Sequence, residues 1–333
     1  MSEKVLVTGG AGFIGSHVAR RLLREGYEVV ILDDLSGGFK ENLPEGASFI
    51  EGSILDRDLL ADIFEREAFK YVYHLAAYAA EGLSHFIKHF NYQNNLIGSV
   101  NLINLSILHE IRCFVFTSSI ATYGEIPPPM KESDVPHPED PYGVAKLAVE
   151  MELGVSKKQF DLDYVIFRPH NVYGEYQNLS DRYRNVIGIF MNQIMQGKPL
   201  SVFGDGEQTR AFSYIDDLMN PMVECIKRED CFGQVFNIGA DKSWSVKRLA
   251  YEVQRALSSD LELLHLPPRN EVEHAHADHS KLKKFFGDLP QTDLAQGIDR
   301  MAAWARDQGP TPPSRFGEIE IERGLPSFWR DLD

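Results

Sequence analysis

Glycines at positions 9, 12 and 15, in the run Thr8-Gly9-Gly10-Ala11-Gly12-Phe13-Ile14-Gly15, restrict this chain more than any other feature. The apolar run Val5 to Thr8 ahead of them reads as a strand, and Gly12 to Glu25 behind them has helical periodicity. Glycines so placed let the chain turn tightly off a strand, approach a pyrophosphate with bare backbone, and pack the helix against the sheet. The helix N-terminus then offers free N–H groups to the anion. Asp33 ends the second strand, where a carboxylate accepts hydrogen bonds from an adenosine ribose. No Arg or Lys stands in Asp33-Asp34-Leu35-Ser36-Gly37-Gly38, and an acid there repels a 2'-phosphate, so the expected cofactor is NAD rather than NADP.

Short apolar runs alternate with longer helical stretches, the pattern of a parallel sheet covered on both faces. The expected strands are Val5 to Thr8, Glu28 to Leu32, Ser48 to Glu51, Tyr71 to Leu75, Cys113 to Ser118 and Tyr164 to Arg168. Expected helices between them include Gly12 to Glu25, Asp56 to Arg66 and His85 to Glu110. The fold class is therefore α/β: a Rossmann-type doubly wound parallel sheet over residues 1–170, with a later strand and helix near 205–240 returning to it. A smaller mixed α/β substrate-binding domain covers 171–315, where Gly and Pro punctuate shorter elements, and 316–333 form an irregular tail.

With 333 residues, 43% hydrophobic and 25% charged, the chain can bury a sizeable core. Its net charge of −15 argues against a nucleic-acid partner, which calls for clustered Lys and Arg. No apolar run approaches the 18 or so residues of a membrane span, no leader pattern precedes the first strand, and Cys113, Cys225 and Cys231 are too few for a disulfide framework. A cytoplasmic protein without a membrane partner is expected.

A second chemical signal is Tyr142-Gly143-Val144-Ala145-Lys146. On a helix these ends share a face, so the Lys146 ammonium is expected to lower the Tyr142 phenol pKa toward neutrality. Upstream, the strand Cys113 to Phe116 runs into Thr117-Ser118-Ser119, hydroxyls at the carboxyl end of a central strand where open α/β sheets place their ligands.

Taken with His74-Leu75-Ala76-Ala77, Tyr123-Gly124 and Asn94-Asn95-Leu96-Ile97-Gly98, these motifs resemble the extended short-chain dehydrogenase/reductase family acting on nucleotide sugars. The resemblance continues through Arg168-Pro169-His170-Asn171-Val172-Tyr173-Gly174 and Phe203-Gly204-Asp205-Gly206-Glu207-Gln208-Thr209-Arg210. It implies Tyr142 as catalytic base, Lys146 as its activator and a ribose ligand, and Ser119 as the hydroxyl that binds the substrate oxygen. Gly9, Gly12, Phe13, Ile14, Gly15, Asp33 and Asp34 would hold NAD, with Ser53 and Ile54 toward the adenine. Leu75, Ala76, Ala77 and Ser118 would lie along the cofactor's path, and Asn95, counted with the cofactor site, would help support the active-site backbone. Asn171, Arg210 and Arg269 would grip the nucleotide diphosphate, since guanidinium forks match phosphate oxygens. A homodimer through the helices at His85 to Glu110 and Tyr142 to Gln159 is also implied.

Within that family the residues after Ser119 separate the reactions. Dehydratases place an Asp-Glu pair there and decarboxylases a Glu, whereas this chain has Ile120-Ala121-Thr122. Elimination needs an extra acid and base. The resemblance therefore implies epimerisation at C4 through a keto sugar, while a net dehydrogenase, reductase or dehydratase that releases its product stays open. Arg182 and Arg184 lie on a polar loop and read as solvent-facing, with contact to an acidic sugar such as a uronate as the alternative. His265, His274, His276 and His279 lack the spacing of a metal site, so no metal is expected.

Overall fold

Six apolar runs pair side by side in the computed structural model, which describes residues 2–268, 272–314 and 316–330. They are β1 (Lys4–Thr8), β2 (Glu28–Asp33), β3 (Ser48–Glu51), β4 (Tyr71–His74), β5 (Cys113–Thr117) and β6 (Tyr164–Pro169). All run parallel in the order β3-β2-β1-β4-β5-β6, and a seventh strand, Gln234–Ile238, pairs with β6 in parallel at the far edge. Each strand sends alternate side chains to opposite faces: Val5 and Val7 of β1 enter one apolar cluster and Leu6 the other. Both faces are covered, which is why these strands read as continuous apolar runs.

The helices of this unit are α1 (Phe13–Arg24), α2 (Arg57–Glu67), α3 (Glu81–Ser84), α4 (Lys88–Tyr92), α5 (Gly98–Leu108) and α6 (Pro141–Phe160). The single helix expected over His85 to Glu110 is thus interrupted. α4 and α5 are joined by one wide π turn, Gln93–Ile97, and α3 is separate. The irregularity serves two buried asparagines. Asn91 donates to Pro141 O at 2.8 Å, and Asn95 bonds both backbone groups of Tyr78. α6 starts sharply because Asp140 accepts from Gly143 N at 2.9 Å and Pro141 occupies the first helical position, where its missing N–H costs nothing.

Residues beyond β6 add the helices Val186–Met195, Val246–Leu257 and Leu294–Gln308 with several two- to four-residue strands. Their apolar faces join the same cluster as Val5 and Tyr73, through Phe190, Leu249 and Ile298. Connections leave β1 and β4 in opposite directions along the sheet, which opens a crevice at the carboxyl ends of those strands. Among the described residues no helix is long and apolar enough to cross a membrane.

His74, at the end of β4, ties that crevice together. Ser99 donates to Asn95 O, so its oxygen accepts from His74 Nε2–H at 2.8 Å, leaving Nδ1 to accept from Thr8 Oγ1, also at 2.8 Å. Burial lowers the pKa of His74 to about 3, and that of His170 likewise to about 3, against an ordinary 6.5. Between those values the unfolded chain binds protons that the folded chain does not. Stability is therefore full above pH 6.5 and falls as pH drops toward 3, by about 1.4 kcal/mol per pH unit for each histidine. Going from pH 7 to pH 5 should cost about 2 kcal/mol per histidine in urea unfolding, and His74→Gln should remove its own share of that difference. An unchanged pH dependence in the variant would count against this account.

Candidate active site

The glycine turn is built for a ligand that needs bare backbone. Gly9 has φ +72°, and a Cβ on it would sit 2.6 Å from Ala76 N. A Cβ on Gly15 would meet Gly9 O at 2.1 Å. Gly12 begins α1 without any side-chain cap, so the first N–H groups of the helix face the cleft unblocked by protein. Asp33 is buried beside this turn, its Oδ2 accepting from Ala11 N at 3.0 Å and its Oδ1 from Leu35 N at 2.8 Å. Burial raises its pKa against these two bonds.

A cavity of about 790 Å³ runs from this turn across the sheet ends to residues beyond β6. Gly9, Gly12, Phe13, Ile14, Gly15, Asp33 and Asp34 line one end, followed by Ile54 and then Leu75, Ala76 and Ala77. Ser118, Ser119, Tyr142 and Lys146 line the middle, and Asn171 and Arg210 the far half. Two expected contacts fall outside the lining. Ser53 accepts from Leu55 N at 3.3 Å in the turn after β3, and only its neighbours Gly52 and Ile54 face the cavity. Asn95 stands behind the wall, holding Tyr78 by its backbone N–H and C=O. Arg269 lies outside the described residues.

At the centre, the Ser119 hydroxyl accepts from Ala121 N at 3.1 Å, and Ser119 and Tyr142 line the cavity together. Lys146 is buried, its Nζ donating to Thr117 O at 2.8 Å and lying 5.7 Å from the Tyr142 ring centre. Burial pulls the Lys146 pKa down to about 7. The expectation that Lys146 brings the phenol toward neutrality is corrected here. Burial pushes the Tyr142 pKa above its ordinary value, the charges of Glu81 and Asp140 add to the rise, and Ser119 and Arg184 oppose it. A cation that is itself desolvated and turned toward a carbonyl does not overcome the burial of the phenol.

One turn beyond Lys146, Glu150 anchors this cluster from below. It accepts from Ser118 Oγ at 2.5 Å and takes Arg168 bidentately, Nε at 2.9 Å and Nη2 at 2.5 Å. Sequence reasoning missed Glu150, although the helical spacing 142, 146, 150 marks one face. The loop arginines also differ from expectation. Arg184 pairs with Asp181 at 2.6 Å, stacks over Tyr78 and lines the cavity, as does Arg182. They turn inward because Asp181 and the aromatic rings of Tyr78 and Phe328 receive the guanidinium groups. Arg210 is held by Thr209 O, Glu273 O and Val272 O, which fixes its fork at the cavity wall.

A dinucleotide cradle running into Tyr142 and Lys146 at the strand ends is the arrangement of the extended short-chain dehydrogenases. Comparison with known proteins agrees. The sequence profile of the NAD dependent epimerase/dehydratase family matches residues 5–239. A UDP-glucose 4-epimerase of Mycolicibacterium smegmatis is 33% identical, aligned over 92% of this chain and 99% of its own length. The crystal structure of UDP-glucose 4-epimerase with UDP-glucose from Thermotoga maritima superposes with a TM-score of 0.87 at 35% identity, covering 92% of this chain and 99% of that one. A Thermus thermophilus UDP-glucose 4-epimerase complexed with NAD gives 0.84 at 29% identity, covering 90% and 98%. This chain belongs to the NAD-dependent epimerase/dehydratase family, and its cofactor is NAD.

Proposed function

We propose that this protein inverts C4 of a nucleotide-diphosphate sugar, most simply a UDP-sugar, through a transient 4-keto sugar. The observation that carries the reading is the wall beside Ser119: positions 120 and 121 are Ile and Ala, while Ser119, Tyr142 and Lys146 line the same cavity. Asp140, the acid next to Tyr142 in sequence, is occupied as the α6 cap. Proton transfer at one carbinol oxygen is the chemistry such a centre suits.

NAD, when bound, supplies a hydride acceptor and a positive ring charge. Gly9, Gly12 and Gly15 would hold its pyrophosphate with the α1 N-terminus, and Asp33 and Asp34 the adenosine side, with Phe13, Ile14, Ile54, Leu75, Ala76, Ala77 and Ser118 forming the walls. As the phenolate, which the positive charge of bound cofactor and of Lys146 would favour against burial, Tyr142 takes the proton from the C4 hydroxyl, and Ser119 hydrogen-bonds the same oxygen. Lys146 would bind the cofactor ribose and place positive charge behind the phenol. Asn171 and Arg210 hold the diphosphate, so the keto sugar can turn over without leaving, and Tyr142 returns the proton when the centre closes from its other face. The test is incubation with UDP-, GDP- and dTDP-hexoses, followed at C4 by NMR. Inversion without net cofactor consumption supports the reading, whereas stoichiometric NADH or loss of water from the sugar overturns it.

A homodimer in a cytoplasmic setting completes the proposal. Met151 and Val155, one turn apart on α6, are 66% and 57% exposed, and Leu108 at the end of α5 is 74% exposed. An apolar stripe shared by two neighbouring helices suits a second copy. Met151→Glu combined with Val155→Glu should convert a dimer to a monomer in sedimentation equilibrium. A wild-type monomer would sink this part.

A further inference from the structure

Residues 316–330 form a single helical turn, Ser327–Arg330, and of their side chains only Leu325 and Trp329 are buried. Yet this segment is fastened to both sides of the cleft. On the first unit, Glu320 caps α4 by accepting from His89 N and Phe90 N, each at 2.8 Å, and Phe316 packs 4.8 Å from the Phe90 ring. Trp329 lies edge-on to Phe86 and stops against Gly82, where an added Cβ would stand 3.1 Å from the indole. On the second unit, Trp329 meets Tyr183 at 5.5 Å, and Phe328 meets Phe203 at 6.1 Å. Phe328 also receives Arg182 twice: the guanidinium lies 5.2 Å over its ring, and Nη2 donates to its carbonyl at 2.5 Å.

Among the described residues beyond Ala275, Phe328 is the one that lines the cavity. A segment held by docking, with almost no structure of its own, opens at a lower free energy than the sheet beneath it. A keto sugar tethered only through its diphosphate must turn over inside a closed wall, but product must later pass that wall.

We propose that residues 316–330 are a clasp over the substrate half of the cleft, with Phe328 as the wall and Trp329 as the latch. The clasp rests on the reading of the cavity as a sugar-nucleotide site. Docking holds Arg182 against Phe328 and so sets the position of the loop that carries Arg182 and Arg184. Release of Trp329 from the pocket formed by Gly82, Phe86 and Tyr183 frees the loop and opens the cavity.

The test uses the full-length protein loaded with NAD and the tightest-binding of UDP, GDP and dTDP. Trp329→Ala should raise the nucleotide dissociation constant at least tenfold by calorimetry. It should also speed hydrogen exchange at least tenfold in residues 81–90 and 177–185, while β1, β4 and β5 keep wild-type protection. Phe328→Ala, which retains the latch but loses the ring under Arg182, should weaken nucleotide binding several-fold and speed exchange in residues 177–185 while residues 81–90 keep wild-type protection, and it decides the matter if the Trp329 variant does not fold. Wild-type affinities in both variants would overturn the clasp, as would binding of none of the three nucleotides. Nucleotide binding without C4 inversion would sink the epimerase reading alone, since the clasp is measured without turnover.

Discussion

Replacing Tyr142 with Phe is expected to lower kcat by about 10³-fold while leaving the fold and bound NAD intact. The ring is buried between the end of β5 and the first turn of α6, so Phe fills the same volume and only the hydroxyl is lost. With Ile120 and Ala121 beside Ser119, no adjacent group on that wall takes over the proton. Ser119→Ala should cost less, about 10- to 100-fold, because Ser119 hydrogen-bonds the reacting oxygen without carrying its proton away. Turnover by NMR and NAD content after denaturation separate the two effects. If Tyr142→Phe kept a tenth of wild-type activity, another base would have to be found, and Glu81, whose charge already acts on the phenol, would be the first to test.

The second large effect belongs to Glu150. Its carboxylate and the Arg168 guanidinium are almost wholly buried, with side chains 6% and 5% exposed. Glu150→Ala leaves an uncompensated charge under the active site and should remove about 3–5 kcal/mol from the unfolding free energy. It also frees Ser118 and removes the negative charge that supports protonated Lys146, so the remaining folded enzyme should be impaired as well. Glu150→Gln keeps the shape and an acceptor for Arg168 and should fall between Ala and wild type. Urea unfolding at pH 7 measures both; a loss under about 1 kcal/mol for Ala would mean that water reaches Arg168 in the folded state.

The strands of the central sheet were legible because each is buried on both faces, and the glycine turn because Gly9 and Gly15 have neighbours that exclude a side chain. Tyr142, Lys146 and Ser119 were found by spacing and strand-end position, and the structure brings all three into one cavity. The break between α3 and α5 was not legible, since it is imposed by Asn91 and Asn95 reaching partners 50 and 17 residues away. Arg182 and Arg184 were misread for a similar reason. Whether a loop arginine turns inward depends on rings and an acid that only the folded chain places nearby. The direction of the Tyr142 shift was misjudged because spacing shows which charges are neighbours but not how much water they lose.

The strand Gln234–Ile238, paired with β6 on the outer edge of the sheet, bears on how such proteins can be recombined. A cut after residue 170 would leave β6 with an open edge and its fragment without part of its own core. The helix Ile215–Glu224 packs on α1, and its Met222 O accepts from Tyr73 OH at 3.0 Å, so grafting a different substrate half onto this cofactor half calls for a junction after β6, a second ahead of Ile215, and a third past residue 238 where the chain crosses back. The segments that complete the sheet are interleaved in order with the rest of the chain, and an exchange designed from a single boundary would break the sheet it meant to keep.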